Sequence, residues 1–70
     1  MTRLSRHARN EMRLYGIDRG DVDATINDPI HELDIRGNAR LVGQTVDGRP
    51  ILVVVAGDDP EFAITVFLRN

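Results

Sequence analysis

At 70 residues the chain is one domain or less, so a two-domain enzyme with a buried cleft is excluded. The absence of cysteine removes disulfide scaffolds and thiolate zinc sites and fits a reducing compartment, so a cytoplasmic location is expected. The net charge of −2 hides a basic start, with five arginines against two acids up to Arg19 and four against nine beyond it; all nine cations are arginine, which excludes lysine Schiff-base chemistry. A single domain over residues 1–70 is expected. Its longest apolar run, Ile51 to Ala56, has strand length, so no membrane span is expected, and the first residues lack a signal peptide's apolar stretch.

The first periodic stretch runs from Ser5 to Tyr15. Leu4, Ala8, Met12 and Tyr15 fall at spacings of four, four and three, which predicts an apolar helical stripe with Ser5 as N-cap and Gly16 as terminator. Arg3, Arg6, Arg9 and Arg13 then project from the opposite side. Asp18, followed three residues later by Asp21, opens a second helix through Val22 and Ile26, which Asn27-Asp28-Pro29 stops.

From Ile30 onward the pattern changes to short runs bounded by turns. His31 to Ile35 reads as a strand, Arg36-Gly37-Asn38 as a tight turn and Ala39 to Val46 as the next strand. Asp47-Gly48 predicts a type I′ hairpin leading into Arg49 to Ala56. Gly57 to Glu61 reads as a loop carrying Pro60, and Ala63 to Leu68 as the last strand. The expected architecture is α+β, with two N-terminal helices packed on a four-stranded antiparallel meander sheet. Both faces of Ile51 to Ala56 are apolar, and two short helices cover one side of such a sheet. The other face therefore needs a cover, in order of preference a second subunit, a partner protein or the loops.

His7 and Glu11 lie four residues apart and are neighbours on the first helix. A carboxylate beside an imidazole orients the ring, an arrangement suited to general acid/base work near neutral pH; a local pair rimming the helix–sheet junction explains the spacing equally. His31 reads as a solvated edge residue. Two histidines and scattered acids have no metal-ligand spacing, so neither a metal nor a cofactor is expected. Asp58-Asp59 reads as an exposed acidic turn or a loose cation site. The arginines at 3, 6, 9 and 13 suit a phosphate backbone, an acidic partner or a plain solvated face. Arg40, Gln44 and Thr65 would make an anion-binding patch if they met on the exposed sheet face, and are otherwise ordinary polar alternation.

Ser5-Arg6-His7-Ala8, Met12, Tyr15-Gly16-Ile17, Val22, Pro29, Asp47-Gly48-Arg49-Pro50 and Ile64-Thr65-Val66 together resemble a small bacterial family, domain of unknown function 4258, over almost the whole chain. That family is similar in turn to the RelE/ParE-like toxins, including the BrnT type, in which two helices lie on a curved antiparallel sheet. The resemblance implies a metal-independent ribonuclease of a toxin–antitoxin system, with an antitoxin as partner and RNA as substrate; the ParE branch acts on gyrase instead. It also implies His7 and Thr65 as active-site residues, with Arg40 and Arg49 as cationic helpers. The chain departs from those toxins in being acidic and without lysine. The alternative expectation is a non-catalytic interaction domain that binds a protein partner, or itself as a homodimer, through the exposed sheet face.

Overall fold

The computed structural model describes residues 2–35 and 37–69. Its elements run β1 (Arg3–Leu4), α1 (Arg6–Tyr15), α2 (Arg19–Asn27), β2 (His31–Ile35), β3 (Asn38–Gln44), β4 (Pro50–Ala56) and β5 (Asp59–Leu68). The fold is α+β, and the sheet has five strands in the order β1-β5-β4-β3-β2.

The helices end where their local chemistry dictates. The Ser5 side chain accepts the Ala8 amide at 2.9 Å, and Gly16 closes α1 in the left-handed region with φ of 67°. Asp18 and Asp21 form a reciprocal capping box at the start of α2. The meander is also present, since β2, β3, β4 and β5 pair antiparallel in sequence order.

Four expectations need correction. The sheet has five strands and is mixed, because Arg3 and Leu4 pair in parallel with Phe62 and Ala63 as β1 and the Ser5 amide continues the pairing to the Ala63 carbonyl at 3.0 Å. Arg3 and Leu4 thus stand outside α1, and two residues are too few to carry a strand period. The β3–β4 connection is not a two-residue turn. Thr45 N–H donates to the Arg49 carbonyl at 2.8 Å, leaving Val46-Asp47-Gly48 as a three-residue loop with Gly48 at φ of 90°, the arrangement of a turn followed by a glycine bulge.

The loop expected at Gly57 to Glu61 shrinks to Gly57-Asp58, because β5 begins at Asp59. Its register slips twice: Val54 faces Thr65, Val55 faces Ala63 and Ala56 faces Asp59. Pro60 is accommodated in the irregular stretch, where no ladder donor is required of it. Of the expected Arg36-Gly37-Asn38 turn, Arg36 lies outside the described residues.

Both helices lie on one face. Ala8 and Met12 of α1, Ile17 between the helices and Val22 of α2 pack with Leu41, Ile51, Val53, Val55, Ala63 and Val66. Each fully buried Val or Ile among them contributes roughly 1.5–3 kcal/mol of transfer free energy. α2 seats against β3 over Gly43, where an added Cβ would run into the Thr25 side chain, with Thr25 Cβ and Cγ2 both at 2.8 Å. On the opposite face the register forms two rows across the sheet, Leu33–Arg40–Val54–Thr65 and His31–Val42–Leu52–Phe67. Among the described residues no helix lies over these rows, and Leu33 and Phe67 remain 44% and 41% exposed.

Candidate functional site

Ser5 fixes the start of α1 twice, accepting the Ala8 amide and donating its hydroxyl to the Ile64 carbonyl of β5. His7 therefore stands in the first helical turn above a pinned backbone. Its Nε2 lies 3.8 Å from Glu11 Oε1, an ion-pair distance rather than a hydrogen bond, and its side chain is 62% exposed. The imidazole faces solvent, where it can exchange a proton with a bound ligand, while Glu11 is half-buried.

Arg6, Arg9 and Arg13 are exposed on α1 and have no hydrogen bond or ion pair among the described residues. At 100° per residue they fall within about 60° of one another, a single crest of positive charge. Arg3 does not share it. From β1 its guanidinium pairs with Asp59 and lies 5.9 Å from the centroid of the Phe62 ring. Asp59 is thereby engaged, which accounts for half of the acidic turn without a cation.

Thr65 and Arg40 lie in one row of the helix-free face with Val54 between them, two strands apart and so roughly 10 Å at the backbone. Thr65 Oγ1 is buried and unpartnered among the described residues. Arg40 is exposed. Gln44 shares the face with them but stands opposite Pro50 at the strand end, four residues along from Arg40, so the three do not close into one patch. His31 begins the neighbouring row and is exposed.

Arg49 is committed to the scaffold. Its Nη1 and Nη2 donate to the carbonyls of Tyr15 and Gly16 at 2.8 and 3.1 Å, and its Nε donates to Asp47 at 3.2 Å. These carbonyls end α1 without intrahelical partners, so the guanidinium closes the helix terminus onto the β3–β4 loop. The Thr45 hydroxyl donates to the same Asp47 carboxylate and accepts the Arg49 amide at 3.0 Å. These donors hold the Asp47 carboxyl below the usual aspartate range, the Thr45 hydrogen bond foremost.

The sequence-predicted catalytic residues thus fall in three places. His7 belongs to the helix layer, Thr65 and Arg40 to the opposite face of the sheet, and Arg49 to the loop end. Among the described residues no three His, Asp or Glu side chains gather as metal ligands, and no helix is long and apolar enough to cross a membrane. Sequence reasoning gave no role to the fifth arginine of the basic end. Arg19 opens α2 and donates through Nη2 to the Thr2 carbonyl, a contact between elements that no local spacing announces.

These features define a small α+β domain of two capped helices on one face of a mixed five-stranded sheet, with a histidine–carboxylate pair and an arginine crest on its first helix. A family model described as Domain of unknown function (DUF4258) matches residues 4–67, and the chain belongs to that family. No curated protein and no solved structure matches it.

Proposed function

We propose that the chain is a metal-independent ribonuclease of the RelE/ParE-like toxin type, acting from the solvent side of α1. The observation that carries this reading is the exposed His7, paired with half-buried Glu11, on the same helix as Arg6, Arg9 and Arg13, which lack acidic partners among the described residues. The resemblance that the chain's sequence motifs imply to the RelE, ParE and BrnT toxins supports it further. In this mechanism His7 takes the proton of a ribose 2′-hydroxyl, and the 2′-oxygen attacks the adjacent phosphorus. The bond from phosphorus to O5′ breaks, leaving a 2′,3′-cyclic phosphate, and the O5′ leaves protonated by water. The arginine crest stabilises the charge on the phosphorane. Glu11 orients the imidazole. Thr65 and Arg40, across the sheet, are outside this centre, and Arg49 serves the scaffold.

The reaction is tested with a single-stranded RNA carrying one 2′-deoxy position. Cleavage at every susceptible linkage except that following the deoxyribose supports transesterification, and cleavage there as well refutes it.

A second reading, a protein-interaction domain, is favoured by a separate observation. The face of the sheet without helices exposes Leu33 and Phe67 beside half-buried Leu52 and Val54. A second copy of the chain or an antitoxin would cover it.

A further inference from the structure

Arg3, Arg9 and Arg19 come from three different elements, yet they line one surface groove of about 590 Å³ together with Thr2, Leu4 and Glu61. Gathering like charges in one concavity is unfavourable unless something offsets the repulsion. The fold offsets it only in part. Asp59 pairs with Arg3, and the Thr2 carbonyl accepts one N–H of Arg19. That hydrogen bond holds the Arg19 guanidinium beside buried Thr2 and leaves its other donors for a ligand, since a guanidinium carries five. Arg9 has no partner among the described residues.

We infer that this groove binds backbone phosphates of a single-stranded nucleic acid; the inference rests on the ribonuclease reading and supplies its substrate path. Bidentate guanidinium contacts suit phosphate, and with Arg3 held by Asp59 it is Arg9 and the remaining donors of Arg19 that offer them, beside one lining carboxylate, Glu61. The ligand is a polyanion rather than a lone phosphate because the charge continues beyond the groove. On α1, Arg9 is the edge of the arginine crest that faces the groove, Arg6 and Arg13 continue the crest, and His7 lies on its other flank, at about 100° per residue. A strand leaving the groove crosses the crest, a helix about 10–12 Å wide with its side chains, and reaches His7. The groove therefore anchors the substrate a short step from the cleavage point, and Arg19 joins the binding surface.

The test is the anisotropy of a short fluorescein-labelled single-stranded RNA bound to the full chain carrying His7→Ala, so that the probe survives. Arg9 is exposed and has no hydrogen bond or ion pair among the described residues, so Arg9→Glu should leave the fold intact by circular dichroism. Arg9→Glu and Arg19→Gln should each weaken binding several-fold and lower the slope of log K against log salt by about 0.7. Arg9→Lys should restore most of the affinity, and Arg69→Gln, at the far end of β5, should change nothing. Unchanged affinity and salt slope in both Arg9→Glu and Arg19→Gln would overturn the groove. If the expected binding pattern holds but the wild-type chain cleaves no RNA, the ribonuclease reading fails and the groove stands. Cleavage by a wild-type chain whose groove variants bind normally removes the groove alone.

Discussion

The carboxylate of Asp21 accepts the backbone N–H of Val46 at 3.0 Å, although 25 residues separate them in the chain. Its other oxygen accepts the Asp18 amide at 3.2 Å, so one side chain, 6% exposed, both caps α2 and holds the tip of the β3–β4 loop. The Val46 side chain is 97% exposed, so the loop is held through its backbone.

Asp21→Ala should therefore lower stability by about 1–3 kcal/mol, since it removes a cap and strips a charged acceptor from a backbone donor. Urea denaturation measures the loss, and amide exchange at Val46 should lose its protection. Val46→Ser should be near neutral. Equal stability of Asp21→Ala and wild type would mean that the tie is not formed in solution.

Arg49 makes the opposite prediction to that of a catalytic helper. Arg49→Lys cannot reproduce the fork that spans the Tyr15 and Gly16 carbonyls and should cost about 1 kcal/mol. RNA cleavage per folded molecule should stay at the wild-type level. A selective fall in turnover at unchanged stability would return Arg49 to the active site.

The Thr45–Asp47–Arg49 network predicts an acid-side sensitivity of the loop. Because the folded chain holds the Asp47 carboxyl below the usual aspartate range, this group favours folding above that range. Its contribution is lost as pH falls through the folded value. Carboxyl titration followed by NMR should give Asp47 a midpoint below that of the same residue in the unfolded chain, and Thr45→Val should move it upward. A midpoint unmoved by Thr45→Val would show that the hydroxyl is not the cause.

The helix-free face predicts self-association. The wild-type chain should sediment as a dimer, and Phe67→Asp should sediment as a monomer without loss of stability, because Phe67 lies outside the buried core. A wild-type monomer at high concentration would refute a homodimer through this face.

What could be read from the sequence was local. Ser5, Gly16 and the Asp18–Asp21 box mark helix ends through contacts within one turn, and the i, i+4 spacing places Glu11 beside His7. β1 was illegible because pairing with Phe62 and Ala63 alone makes Arg3 and Leu4 a strand. Asp47-Gly48 misled because a glycine at positive φ ends a three-residue bulged loop as readily as it sits in a type I′ turn. Pro60 marked a loop, yet the twofold slip in register carries the strand through it. For the site, the arginine crest followed from helical spacing. The departure of Arg3 and the meeting of Arg9 with Arg19 are products of tertiary packing and leave no periodic trace.

The central claim is that His7 carries proton transfer in RNA cleavage without a metal. Its most direct test is the cleavage rate of one labelled single-stranded RNA in EDTA by wild type, His7→Ala and His31→Ala, each shown to be folded. The account predicts equal rates for wild type and His31→Ala and a fall of about 10²–10⁴-fold for His7→Ala, the usual contribution of general acid/base catalysis. Full activity in His7→Ala, or no cleavage by the wild-type chain, would contradict it.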